Sequence, residues 1–264
     1  MSKCILVAIF ALVFAGTLPV VAQSPPAIEK ELLGYADDLG KYGTYGGAYD
    51  EGKLTRANDL IRRKLLEYGK REDVLKYGFP NIKGGGELYV ATSKDGRFRI
   101  YSWDLNDGGT MHDFDKVYQY QGKSGKVYVV ASKDSPDGGG SFYPEIFQVN
   151  AAGGPIYLAT GTFIGSTSLA GQSISAYTMD GEKLNTDPKV IRTGGGLKNS
   201  VSFVYDFFSV VDHPERPVKL FFFDEKNRSF RFPVVLEDAK TPQGRVTNKY
   251  ITYKFDGKYF VKIS

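Results

Sequence analysis

The sequence predicts a mainly β protein. Its antiparallel sheet is arranged as a sandwich, a rolled sheet or an irregular propeller, with a small helical segment at the N-terminal side. Three observations carry this reading. Apolar residues recur every three or four positions up to residue 78, then alternate from Glu87 onward. Short β-branched and aromatic runs come in pairs joined by turn residues. Tyr and Phe stand at 18 each in 264 residues, and flat side chains of this kind suit a pleated surface.

The chain opens MSKCILVAIFALVFAGTLPVVAQS. Lys3, a long apolar run and the small-residue ending Val20-Val21-Ala22 predict a signal peptide over residues 1–22. Gly16, Pro19 and that ending favour removal over retention as an anchor, so no stable membrane span is expected after processing. Cys4 precedes the apolar run and is therefore no lipidation site; cleavage removes this only cysteine and leaves a chain without thiol chemistry. The expected location is periplasmic or extracellular. Cleavage also removes one lysine and lowers the net charge from +4 to +3. Charge this weak and well mixed predicts no nucleic-acid binding.

Residues 23–84 read as the helical segment and 85–264 as an antiparallel β domain. Ile28, Leu32, Leu33, Ala36 and Leu39 mark a first helix; Leu54, Ala57, Ile61, Leu65 and Tyr68 mark a second. Asp50 is the expected N-cap of the second and Gly69 its stop. The glycines of GKYGTYGGAY, residues 40–49, break the helix between them. A short third helix is expected over Arg71 to Tyr77.

Hairpins are then expected at ELYVATS/RFRIYSWD, DKVYQYQ/KVYVVASK, SISAYTM/EKL, VKLFFFD/SFRFPVVLED and NKYITYKF/KYFVKIS. Asp-Gly at three of these turns supplies the positive φ of a tight reversal. Longer strands are expected over Tyr143–Asn150, Pro155–Phe163 and Val201–Phe208. The Asp-Gly turns place glycines at 96, 181 and 257, too unevenly for a regular blade repeat. Phe221-Phe222-Phe223 puts aromatic side chains on both faces of its strand, which predicts cover on both sides. Tyr101 and Trp103 share a face expected to be buried, with a mixed face at Ile100 and Ser102.

RIYSWD, GGTMHDFDKVYQYQ and YKFDGKYF together resemble a group of secreted, uncharacterised bacterial β-rich proteins. The resemblance implies an exported β-rich chain and carries no activity or functional residue with it. TSKDGRFRIYSW is also similar to the strand-turn of TolB-type propeller repeats, in a single copy.

The densest cluster of chemistry is DLNDGGTMHDFD, residues 104–115. Asp104, Asn106, Asp107, His112, Asp113 and Asp115 are the binding candidates. The stretch reads first as a turn between strands, reversing at Asp107-Gly108-Gly109 with its acids in water, and second as a binding loop. As a calcium loop it has Asp104, Asn106, Gly109 and Asp115 at the right offsets, but Gly108 stands where a ligand is needed and strands flank it. No metal and no cofactor is predicted. Two histidines, His112 and His213, are too few for an all-histidine zinc site. A G-x-S-x-G elbow is absent, and Gly122-Lys123-Ser124 lacks the glycine a phosphate loop needs five residues earlier.

The functional expectation is an exported binding or envelope-associated protein of unknown ligand. A hydrolase acting on an envelope or extracellular polymer is the alternative, with acids and His112 at a cleft. A second alternative rests on Ser124-Gly125-Lys126-Val127-Tyr128, which matches the S-G-x-x-Y loop of periplasmic lysozyme inhibitors. Partner and catalytic residues are unknown at this level.

Intact-mass analysis of the exported protein tests the first of these expectations. A mature chain beginning at Gln23 is predicted; a mass that retains residues 1–22 contradicts it.

Overall fold

The computed structural model describes residues 23–82, 86–132 and 139–263. The expected signal peptide lies outside the described residues. Three helices come first: α1 (Pro25–Tyr42), α2 (Glu51–Tyr68) and α3 (Glu72–Lys76). Asp50 caps α2 as expected, its Oδ1 accepting from Lys53 N at 3.0 Å, and Gly69 ends it.

The strands follow in chain order. β1 (Leu88–Thr92), β2 (Phe98–Asp104), β3 (Phe114–Gln121) and β4 (Val127–Ala131) form an antiparallel meander, the first sheet. β5 (Phe142–Ala151), β6 (Gly154–Ile164) and β7 (Leu169–Asp180) build a second sheet, with the short β8 (Lys183–Asn185) on β7. β9 (Ile191–Thr193) and β10 (Gly196–Lys198) form a small hairpin of the third sheet. β11 (Ser200–Asp206) returns to the edge of the second sheet at β7, and a 3-10 turn, η1, covers Phe207–Val210. β12 (Phe222–Asp224), β13 (Ser229–Asp238), β14 (Thr241–Phe255) and β15 (Phe260–Lys262) complete the third sheet.

The layers follow from the alternation of side chains. Odd residues of β2 face the helices: Tyr101 and Trp103 pack with Leu32, Leu54, Ile61 and Leu65. Even residues face the second sheet: Phe98 and Ile100 pack with Tyr157, Ala159 and Tyr177. The opposite face of the second sheet, Ile156, Leu158 and Ile174, packs on Phe221, Phe230, Phe232 and Phe260 of the third sheet and its approach. Helices, first sheet, second sheet and third sheet therefore stack in sequence, a β sandwich with a helical cover.

Three expectations are corrected. Ile100 and Ser102 are as buried as Tyr101 and Trp103, because β2 has the helices on one side and the second sheet on the other. Phe221 and Phe223 point inward, Phe223 stacking on Phe147, whereas Phe222 is half-exposed because no layer covers the outer face of the third sheet. The end of the expected Val201–Phe208 strand turns into η1 after Asp206, whose side chain accepts from Phe208 N at 2.9 Å. The sheets are largely antiparallel, as expected; among the described residues β15 pairs parallel with β9 over Phe260↔Ile191 and Val261↔Arg192.

Two buried charges lock the helical cover to the first sheet. Arg99 of β2 is 1% exposed. Its guanidinium donates to the carbonyls of Val74 (2.9 Å), Leu75 (3.0 Å) and Tyr77 (2.7 Å) at the C-terminal end of α3, and to Thr92 Oγ1 (2.8 Å) and Tyr101 Oη (3.1 Å). Phe79 and Tyr101 offer it their ring faces at 5.0 and 5.7 Å. The free carbonyls of a helix end carry partial negative charge, so they suit a cation. Glu29 of α1, also 1% exposed, accepts from Tyr77 Oη (2.6 Å), Asn81 N (2.7 Å), Asn81 Nδ2 (2.9 Å) and Ile82 N (3.2 Å). Burial opposes its charged form, but these donors outweigh burial and hold its pKa below the ordinary value. Tyr77 thus meets Arg99 through its carbonyl and Glu29 through its hydroxyl.

Replacing Arg99 with Leu leaves three buried carbonyls without donors, so a loss of about 3 kcal/mol in urea-unfolding stability is predicted. A loss below ~1 kcal/mol would mean that Arg99 is dispensable. Glu29 has a lowered native pKa, so its stabilisation is complete above the unfolded carboxyl pKa and is lost as pH falls through the native one. The stability gap between the native chain and Glu29→Gln should therefore narrow on going from pH 7 to pH 3; a gap constant with pH contradicts the assignment.

Candidate functional site

DLNDGGTMHDFD is the connection between β2 and β3, as expected for a turn. Its two ends point in opposite directions. Asp115 pairs with Trp103 across the strands and so faces the helices, where Arg62 of α2 meets it at 2.7 Å. Asp104 is next to Trp103 in β2 and points to the other side, towards His112. The acids at the two ends are therefore buried, not in water: Asp104 is 8% exposed and Asp115 7%. Both have partners that compensate for burial.

Asp104 accepts with both oxygens. Oδ1 takes Asn106 N at 2.9 Å, and Oδ2 lies 2.5 Å from His112 Nδ1. A carboxylate that accepts from Nδ1 fixes the proton of a neutral imidazole on that nitrogen, leaving Nε2 as an acceptor. Asn106 holds a positive φ of 55° and donates Nδ2 to Glu87 Oε2 at 2.6 Å. Gly108 is required for a steric reason, since a Cβ there would lie 2.2 Å from Met111 O. Asp113 accepts from Gly139 N and ties the loop to the segment before β5. Asp107 is the exposed member; partial desolvation raises its pKa, and the charges of Asp113 and Asp104 add to the rise.

The six candidates do not converge on one point. Asp104, Asn106 and His112 form one linked unit, while Asp113 and Asp115 serve other contacts. Among the described residues no group of three His, Cys, Asp or Glu side chains is placed to hold a metal. His213 sits on a separate exposed loop, its Nδ1 3.2 Å from Glu215 Oε1. Ser124 and Tyr128 of the S-G-x-x-Y match both donate to Glu182 in the β7–β8 turn, at 2.8 and 3.0 Å. Those hydrogen bonds fasten the β3–β4 hairpin to the second sheet.

What the loop does join is a cleft of about 770 Å3. His112 lines it, together with Tyr45 from the α1–α2 connection, Tyr89 of β1 and Phe142 of β5. Tyr205 of β11, Phe207 of η1, Ser166 and Thr167 of the β6–β7 turn, and Arg216, Pro217 and Val218 form the far side. Asp104 is not in the wall, so the imidazole stands between its carboxylate partner and the cleft.

Specific bonds hold these walls. His112 N donates to Ile164 O of β6 at 3.0 Å. Gln172 of β7 grips the far wall twice, donating to Val218 O (2.6 Å) and accepting from Leu220 N (3.1 Å). Phe207 N donates to Ser168 O at 2.6 Å, and Thr44 N to Asn106 O at 2.9 Å. Arg216 spends its guanidinium on the carbonyls of His213, Glu215 and Val211. Burial pushes the Tyr205 hydroxyl up to about 12, a hydrogen bond with Gln172 partly opposing it, so the wall there is neutral.

Sequence reading found His112 but not the cleft. Its aromatic wall comes from strand ends and loops up to 173 positions apart, from Tyr45 to Val218, and no local pattern joins them. No protein-family model matches this chain, and neither a curated protein nor a solved structure is detectably similar to it.

Proposed function

We propose that this is an exported binding protein that holds a small amphipathic molecule in the cleft at His112. The carrying observation is the meeting of five aromatic side chains, Tyr45, Tyr89, Phe142, Tyr205 and Phe207, with one imidazole oriented by a carboxylate. A cleft of this size suits a ligand of drug-like dimensions, and apolar walls with few placed polar groups are the usual form of such sites. Asp104 holds the Nδ1 proton, so in the neutral imidazole Nε2 is the acceptor. The ligand class is therefore an apolar or aromatic body that bears a hydroxyl or amine donor. Export rests on Lys3, the apolar run and the Val-Val-Ala ending.

The hydrolase reading has one observation in its favour. A histidine oriented by a carboxylate is the arrangement of a general base. Among the described residues no hydroxyl is hydrogen-bonded to the His112 ring; Ser166 Oγ in the same cleft accepts from Leu169 N at 2.9 Å. Binding is thus the better-supported role.

Thermal shift and native mass spectrometry with phenols and fatty alcohols, each paired with its deoxy analogue, test the proposal. A hydroxylated member should bind and raise the melting temperature, since a ligand that binds only the folded state stabilises it. His112→Phe should weaken that binding by about tenfold, measured against its own ligand-free melting temperature, which falls because Asp104 loses a partner. Equal affinity for the deoxy analogue, or for the His112→Phe protein, contradicts the assignment; turnover of an ester analogue would favour the hydrolase.

A further inference from the structure

The outer face of the third sheet carries a second feature, remote from the function of the cleft. Alternation places Phe230, Phe232, Tyr253, Phe255 and Ile191 in the core. The residues between them point outward: Arg231 of β13, Lys254 of β14 and Arg192 of β9, all exposed. The register aligns them. Arg192 pairs with Val261, Val261 with Lys254 and Lys254 with Ser229, while Arg231 pairs with Thr252 one step along. With strands about 4.8 Å apart, the three cations form a row spanning roughly 15 Å.

None of the three forms an ion pair among the described residues, and the acids close by are engaged elsewhere. Asp224 accepts from Asn227 N (3.0 Å) and Nδ2 (2.7 Å). Asp256 accepts from Lys258 N and Tyr259 N, each at 2.8 Å; it also feels the charge of Arg192 without forming an ion pair with it. Glu225 pairs with Lys94 at 2.7 Å. The cations are also shaped. The Arg231 guanidinium lies 5.5 Å from the Phe222 ring centre and 4.7 Å from that of Tyr250, and those two rings meet edge to face. Arg192 lies 4.8 Å from the Tyr259 ring. Stacking on a ring holds a guanidinium flat and leaves its edge donors for a planar acceptor such as a carboxylate.

We infer that this face docks an acidic polysaccharide, one whose sugars carry carboxylates along the chain. A polymer supplies repeated anions to a row of cations, and carboxylates match the fork of a stacked arginine. Single-stranded nucleic acid fits less well, since it needs free aromatic platforms for its bases. Here Arg231 already occupies Phe222 and Tyr250, and Arg192 occupies Tyr259. In the exported protein proposed above, this docking would hold the cleft at an envelope or matrix surface.

Affinity electrophoresis of the full-length mature protein through gels containing polygalacturonate, with neutral dextran as the comparison, tests the inference. Retardation by polygalacturonate alone, weakened by salt, is expected. The double variant Arg231→Gln/Lys254→Gln should bind about tenfold more weakly. Arg231→Lys keeps the charge but loses the fork, and should also bind more weakly than the native chain. Both changes are at exposed positions, and a melting temperature equal to that of the native chain confirms that the fold is intact. His112→Phe should bind polygalacturonate normally, which separates this face from the cleft. Equal retardation by dextran, no effect of the double variant, or tighter binding to a single-stranded oligonucleotide or to phosphatidylglycerol vesicles would overturn it.

Discussion

The structure depends on a buried cation that has no carboxylate partner among the described residues. Arg99 lies between the first sheet and the helices, and its charge is answered by the carbonyls that end α3 and by two aromatic faces. An uncompensated charge at that depth would be far too costly, so the contact makes the α3 geometry and the sheet position mutually conditional. Glu29 makes the same demand from α1, through Tyr77, Asn81 and Ile82. The segment from α3 to residue 82 is thus held between a cation on one side and an anion on the other. The helices are fixed in place as well as packed.

That fixing reaches the cleft through Asn58 of α2. Its Oδ1 accepts from Trp103 Nε1 at 3.0 Å, and its Nδ2 donates to Leu105 O at 3.0 Å. Trp103 and Leu105 flank Asp104. The helical layer therefore sets the end of β2 from behind, while Ile164 of the second sheet holds His112 from the front. The Asp104–His112 hydrogen bond rests on both supports, since it forms only where the two residues are held within reach.

Much of this was legible in the sequence. The three helices, the Asp50 cap and the five hairpins follow from period and turn chemistry, which act locally. Where reading stopped, the cause was long-range. Arg99 in RFRIYSWD alternates with Phe98 and Ile100, and nothing local says that the face it shares with Tyr101 and Trp103 is the one under a helix end. Asp104 and Asp115 look alike as loop acids; only the strand register sends one to His112 and the other to Arg62. Phe222 resembles its neighbours Phe221 and Phe223, but it lies on a sheet face that no layer of the described residues covers. The small β9–β10 hairpin around Gly194-Gly195-Gly196 carries no local signal, since three residues per strand leave no period to detect.

The central claim is that the helical layer positions an Asp104-oriented imidazole at the wall of a binding cleft. The most direct measurement is the nitrogen-15 imidazole spectrum of His112, compared between the native protein and Asn58→Ala. The native spectrum should show a proton held on Nδ1 by its hydrogen bond to Asp104 and shifted downfield by it. In Asn58→Ala, still folded by circular dichroism, that signal should move upfield or broaden. A native ring with its proton on Nε2, or a signal unchanged by the substitution, would contradict the account.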